Sequence, residues 1–247
     1  MAPTTVPDAL HESLARDGAR PLVTWLGADG ARVELSVRSF ENNVAKAANL
    51  LQDDADVSAG SRAVLRLAPH WQALVWLGAC AATSTVAWFD GDDADPRVAV
   101  SVVGPDATDA GSAPLALATS LHPLGMPFPS PLPDGLLDVA VEVRAHGDRF
   151  TPYRPPTEDS AWLVEGDGEL THGEALSAGV ELARSAGLGH GGRLLLRTTA
   201  ARAGCAVALG ALALPLAVDG SVVLVTDATV DVDEIAAIER CEATLEI

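Results

Sequence analysis

The feature that most constrains this chain is that it nearly repeats itself. Leu35-Ser36, Gly60-Ser61-Arg62-Ala63-Val64-Leu65-Arg66, Leu77-Gly78-Ala79 and the β-rich run Ser84–Phe89 are answered by Leu170-Thr171, Gly191-Gly192-Arg193-Leu194-Leu195-Leu196-Arg197, Leu209-Gly210-Ala211 and Ser221–Val225. The offset drifts only from 135 residues (Leu35 to Leu170) to 131 (Gly60 to Gly191) and 132 (Leu77 to Leu209). A duplicated βαβ-type unit explains this order with few gaps. It also predicts that Arg62 matches Arg193, Arg66 matches Arg197, and Gly78 matches Gly210.

Local signals fill in the unit. Phe40, Val44, Ala47, Ala48 and Leu51 recur at helical spacing, which makes one face of a helix apolar. Pro69 suits the first turn of the next helix, where its missing amide costs nothing. Asp29-Gly30 between Leu22–Leu26 and Arg32–Leu35 reads as a hairpin turn. Short β-rich runs at Val64–Leu67, Val86–Phe89, Val98–Val103, Ala161–Val164, Leu194–Leu196 and Val222–Val225 alternate with helices. That alternation predicts an α/β fold of two pseudo-repeated subdomains, each a largely parallel sheet flanked by helices. Ten of the sixteen prolines lie between Pro105 and Pro156, where their restricted backbone disfavours regular structure. Residues 1–104 are therefore expected to form the first subdomain, 105–157 a Pro-rich connection with a short helix at 134–145, and 158–247 the second.

Composition excludes several functions. With 16 basic and 34 acidic side chains the formal charge is −18, which argues against nucleic acid or anionic membrane as a partner. Cys80, Cys205 and Cys241 are too few and scattered for a disulfide framework, so they are read as reduced thiols of a cytoplasmic protein. The opening Met1–Asp8 has neither the basic nor the apolar stretch of a secretory signal. The longest apolar run, Ala203–Val218, has 16 residues and contains Pro215. A membrane span needs about 20 residues, so this run is expected to be a buried helix leading into a strand, with Leu209 and Leu212 inaccessible.

The ordered series Leu35–Phe40, Gly60–Val64, Leu77-Gly78-Ala79, Ala161–Val164, Thr171-His172, Gly192-Arg193-Leu194 and Leu209-Gly210-Ala211 resembles the first part of the large N-terminal domain of adenylate-forming enzymes such as acyl-CoA synthetases. It is closer still to a small bacterial family related to them. The resemblance implies that a Ser/Thr/Gly-rich phosphate loop ending in Pro-Lys-Gly should follow the strand at Ala161–Val164. Only Glu165-Gly166-Asp167-Gly168-Glu169-Leu170 stands there. Phosphate is held by backbone amides and a cation, and three carboxylates supply the opposite. The family's later ATP motifs and the small domain carrying its catalytic lysine are expected to lie beyond Ile247, and Lys46 is the sole lysine beside fifteen arginines. The expectation is a non-catalytic protein without a cofactor: a small-molecule-binding or regulatory module. The alternatives are an enzyme of altered chemistry using Arg197 or His172, and a structural subunit forming homo-oligomers.

Candidate ligand residues follow from position. Arg66 and Arg197 end equivalent strands, and His70, Thr198 and Thr199 follow near helix starts, where α/β sheets gather anions. The competing explanation is that each arginine pairs with a carboxylate of the chain. Thr171-His172-Gly173-Glu174 has the spacing of a capping box, the competing reading being a relic ligand contact by Thr171 and His172; His172 by itself is expected to be a surface or packing residue. Asp90-Gly91-Asp92-Asp93-Ala94-Asp95 lacks the glycine and glutamate of a calcium loop, having Asp95 sixth and Ser101 twelfth. No metal spacing is found.

Overall fold

In each repeat a hydroxyl side chain turns a strand into a helix. Ser36 and Thr171 hold extended backbone while accepting hydrogen bonds from the amides of Ser39 and Glu174, which satisfies one open helix-end donor. The computed structural model describes residues 3–28 and 30–247; Asp29 of the expected hairpin turn, with Met1 and Ala2, lies outside the described residues. After α1 (Val6–Asp17), the first repeat runs β1 (Pro21–Leu26), β2 (Arg32–Ser36), α2 (Val37–Asp53), β3 (Arg62–Arg66), α3 (Trp71–Ala82), β4 (Val86–Trp88) and β5 (Val98–Val103). β6 (Leu115–Ala118), β7 (Leu137–Asp138), α4 (Val139–Glu142) and a 3-10 turn (Val143–Ala145) follow. The second repeat runs β8 (Ala161–Glu165), β9 (Gly168–Thr171), α5 (His172–Ser185), β10 (Arg193–Arg197), α6 (Cys205–Ala208), a π-helical turn (Leu209–Ala213), α7 (Leu214–Ala217), β11 (Ser221–Val225), α8 (Val232–Glu239) and β12 (Ala243–Glu246).

The two repeats exchange their hairpins. One sheet is ordered β12-β10-β11-β1-β2, the other β7-β6-β5-β3-β4-β8-β9. The β1–β2 hairpin thus pairs with β11 of the second repeat, and the β8–β9 hairpin with β4 of the first. Among the described residues only the hairpin pairings are antiparallel. Registers repeat to the residue: Arg62 pairs Val86 as Arg193 pairs Ser221, and Arg66 pairs Val103 as Arg197 pairs Glu246. Even the irregularity recurs, Pro21/Val23 opposite Ser36/Leu35 matching Ala161/Leu163 opposite Thr171/Leu170.

This topology corrects the expected boundaries. The divisions after residues 104 and 157 do not separate the sheets, because each sheet draws strands from both repeats. Nor is 105–157 only a connection: β6 and β7 extend the larger sheet within it, since the prolines fall between these strands. Gly78 and Gly210 are not equivalent either. The cap His70 stands four positions after Arg66, whereas the cap Gly204 stands seven after Arg197. The helix after Gly204 is one residue longer than α3, an excess matched by its π-helical turn.

One core joins the halves. Leu194 and Leu196 point into it while Leu195 faces α8 on the outer side of the smaller sheet, the alternation expected of a strand covered on both faces. α1 packs against α2, α3 and α7, bridging the repeats. The Ala203–Val218 run is interior, with Leu212 fully buried; Leu209 is only partly buried, because the π turn rotates it toward the edge of the core. No helix among the described residues is long and apolar enough to cross a membrane.

Candidate functional site

β3 and β10 end on arginines, but in different sheets. Arg66 Nη1 donates to both carboxylate oxygens of Asp93 at 2.9 Å and to Ser101 Oγ at 3.2 Å, and Nη2 donates to the Gly91 carbonyl at 2.8 Å. Arg197 Nη2 donates to the Ala228 carbonyl at 2.7 Å, with Glu246 3.7 Å from Nη1. Both guanidinium groups therefore hold loops of their own chain, the structural use of arginine weighed above. Thr198 is buried, its hydroxyl accepting from Ala200 N–H at 3.2 Å, and Thr199 is exposed. The loop after β10 does approach β3, since Ala203 N–H donates to the Leu67 carbonyl at 2.7 Å. A hollow of about 280 Å³ opens beside it, lined by Arg66 and Arg202 with Val103, Gly104 and Leu121. His70, Thr171, His172, Arg197, Thr198 and Thr199 do not line it.

The two histidines belong to the core. His70 caps α3, its Nδ1 accepting from Gln72 N–H at 3.2 Å, and its ring meets Trp25 edge-on at 4.2 Å. His172, expected as a surface or packing residue, is fully buried, so packing is its role and not a place at the surface. It stacks on Trp162 with ring centres 5.9 Å apart, and its Nδ1 accepts from Val6 N–H at 3.3 Å. A residue at the first position of a helix is buried when another segment crosses it, and α1 does so here. Burial pushes the His70 pKa down to about 3 and that of His172 down to about 4. Thr171 and Glu174 close the full capping box.

Where the resemblance places a phosphate loop, Gly166-Asp167 form a two-residue turn between β8 and β9. Gly166 N–H donates to Asp90 Oδ2 at 2.9 Å, and Glu165 Oε2 accepts from Cys205 N–H, at the start of α6, at 3.0 Å. Those amides are thus satisfied by carboxylates of the chain itself. Burial first, then Glu165 and Asp90, push the Cys205 thiol up to about 12, so the sulfur stays protonated and non-nucleophilic at neutral pH. Among the described residues no cluster of His, Cys, Asp or Glu has the makings of a metal site.

A cleft of about 230 Å³ lies between the repeats. α1, α2 and α3 wall one side, Leu212 and Leu216 the other, and Phe150 with Pro152, Pro155 and Pro156 form a strap. The strap is pinned to α2: Asn49 Nδ2 donates to the carbonyls of Gly147 (3.0 Å) and Arg149 (2.9 Å), and Tyr153 N–H to Gln52 Oε1 (2.9 Å). The Glu41 carboxylate lines the cleft without a hydrogen-bond partner among the described residues. Desolvation raises its pKa above the ordinary carboxylate value, with Asp148 adding and His11 and Arg38 opposing.

Comparison with known proteins locates this geometry. No family model matches the chain. It is 33% identical over 166 residues to a TIGR03089 family protein of Mycobacterium tuberculosis, a match covering 62% of this chain and 65% of the relative. The acyl-CoA synthetase of Brucella canis has a TM-score of 0.72 at 15% identity, over 96% of this chain and 47% of the enzyme. An anthranilate CoA ligase in complex with anthranoyl-AMP gives 0.71 at 14%, over 98% and 49%, and a fatty acyl CoA synthetase of Mycobacterium tuberculosis gives 0.66 at 14%, over 96% and 48%. The chain is similar to this TIGR03089 family protein and has the fold of the N-terminal part of acyl-CoA synthetases. It spans about half the length of the enzymes that share this fold.

The sequence marked the strand ends and a cleft between the halves, but not the residues that line that cleft. Its signal was present: Glu41 lies beside Phe40 and one turn before Val44 and Ala45, so a carboxylate borders the apolar stripe of α2. The strap carries no periodic pattern, so the other wall had none.

Proposed function

We propose that this chain is a non-catalytic relative of the adenylate-forming enzymes, a cytoplasmic small-molecule-binding or regulatory module that neither holds ATP nor forms an acyl-adenylate. The observation that carries this reading is the β8–β9 turn. An acyl-adenylate, such as the anthranoyl-AMP of the fold relative, needs donors around its phosphate. Here Asp90 and Glu165 occupy the amides of Gly166 and Cys205. Adding an anion about 4 Å from such a carboxylate costs roughly 4 kcal/mol at an effective dielectric near 20. Lys46, the sole lysine, lies on α2 and lines a different cavity. The inter-repeat cleft is the proposed ligand site, apolar in its walls and edged by Glu41. An enzyme built on His172 or Arg197 is less well supported, since one is enclosed in the core and the other is bonded to Ala228. A homo-oligomer is the second reading, favoured by exposed Leu124, Met126, Leu137 and Val141.

Calorimetry with Mg-ATP should give no heat at micromolar affinity, and ATP–pyrophosphate exchange across a panel of carboxylic acids should stay at background. Exchange well above background in the purified chain would overturn the non-catalytic reading.

A further inference from the structure

A second cavity holds the only lysine of the chain. It measures about 150 Å³ and lies between α2, α3, the Leu124-Gly125 turn and α4. Lys46 has no ion-pair or hydrogen-bond partner among the described residues, in a chain with 34 carboxylates. That is unusual where negative charge is everywhere in excess, and it leaves a cation unspent at the cavity wall.

A second donor is unspent there too. Gln72 is nine-tenths buried, and its Oε1 accepts from Thr119 Oγ1 at 3.1 Å. Its Nε2 has no acceptor among the described residues, is not fully enclosed, and lies 3.6 Å from where a Cβ on Gly125 would stand. That donor is open to a ligand in the cavity, which Gln72 and Gly125 both line. The remaining wall is apolar and aromatic: Trp71, Val75, Trp76, Val139 and Val143. The Trp71 indole N–H is already committed to the Pro123 carbonyl at 3.0 Å, which leaves its ring for contact.

A core cavity of ~150 Å³ accommodates one benzene ring. We infer that this cavity binds a single-ring aromatic anion, its charge on Lys46 and the Gln72 carboxamide, its ring against Trp71, Trp76 and Val139. The site is separate from the inter-repeat cleft and from the β8–β9 turn, and it stands whether or not the cleft takes a ligand.

The sole lysine supplies its own reporter. With ¹⁵N-lysine labelling the backbone gives one amide signal, that of Lys46. Benzoate and benzenesulfonate should each shift it saturably in the millimolar range or below, with a parallel change in tryptophan fluorescence. Neutral benzamide should bind at least tenfold more weakly. Lys46→Met should weaken benzoate binding at least tenfold, measured by fluorescence, while Lys46→Arg retains it. The inference is overturned if benzoate produces no saturable shift, if benzamide binds as well as benzoate, or if Lys46→Met binds benzoate like the unaltered chain.

Discussion

The two repeats reach the same packing distance by opposite means. In the first, the glycine is on the second helix: a Cβ on Gly78 of α3 would lie 2.7 Å from Val44 Cγ2 of α2. In the second it is on the first helix: a Cβ on Gly179 of α5 would lie 2.9 Å from the main chain of Ala213. Val44 and Gly179 hold equivalent positions, counted from the caps Ser36 and Thr171. Gly78 and Ala213 likewise match, counted from the helix ends Ala82 and Ala217. Close approach of the two helices is therefore kept by one glycine per pair, on either partner. What differs is the obstacle, a side-chain methyl in one repeat and a main chain in the other.

The largest effect should separate two neighbours in the second repeat. Leu212 is fully enclosed and Leu209, on the same π turn, is not. Leu212→Ala should cost about 2–5 kcal/mol, as for buried leucines generally, and Leu209→Ala less than half of that in the same urea titration. Equal losses would mean that the π turn does not set which side chain the core takes.

The glycine pair gives the next effect. Gly179→Ala should destabilise by about 1–3 kcal/mol through overpacking, partly offset by alanine's better helix propensity of about 1 kcal/mol. Trimming one side chain should not rescue it, because the obstacle is backbone. Gly78→Ala should instead be rescued by Val44→Ala. At about 2–4 °C per kcal/mol for a chain of this size, thermal melts of the four variants resolve the contrast.

Each repeat also encloses one neutral imidazole, His70 beside Trp25 and His172 on Trp162. Their native pKa values, about 3 and about 4, lie below the ordinary 6.5. Below pH 6.5 the unfolded chain binds protons that the native chain refuses, so stability is full above that pH and falls as acid is added. The slope is about 1.4 kcal/mol per pH unit for each histidine, and the His172 contribution levels off near pH 4. His172→Leu should flatten the stability–pH curve between 6.5 and 4 by about one proton's worth. An unchanged curve would place that ring in water.

The smallest effect concerns the caps. Thr171 forms a box with Glu174, whereas the equivalent partner of Ser36 is Ser39, whose hydroxyl only meets Ser36 Oγ at 3.1 Å. Ser39→Glu should complete the box and raise stability by a few tenths to about 1 kcal/mol. No gain in thermal melting would show that α2 draws its stability from its buried face alone.

The repeat, its helices and its strands were legible in the sequence because each rests on neighbours in the chain: the caps Ser36 and Thr171, the apolar stripe of α2, the strand runs ending at Arg66 and Arg197. The carboxylates of the β8–β9 turn were legible for the same reason. Which strand pairs with which was not. A β-run such as Val222–Val225 carries a period of two and no mark of its partner, and pairing with β1 was decided by the docking of two whole repeats. The same holds for burial. His172 reads as a polar residue at a helix start, and only α1 lying across it makes it core. The mismatch of Gly78 with Gly210 was hidden too, because the extra loop residues and the π turn alter the count without altering the motif. Composition and local pattern thus set the elements and their charge. Tertiary contact set the partners, the enclosed groups and both cavities, since each depends on segments more than a hundred residues apart or on loops without a pattern of their own.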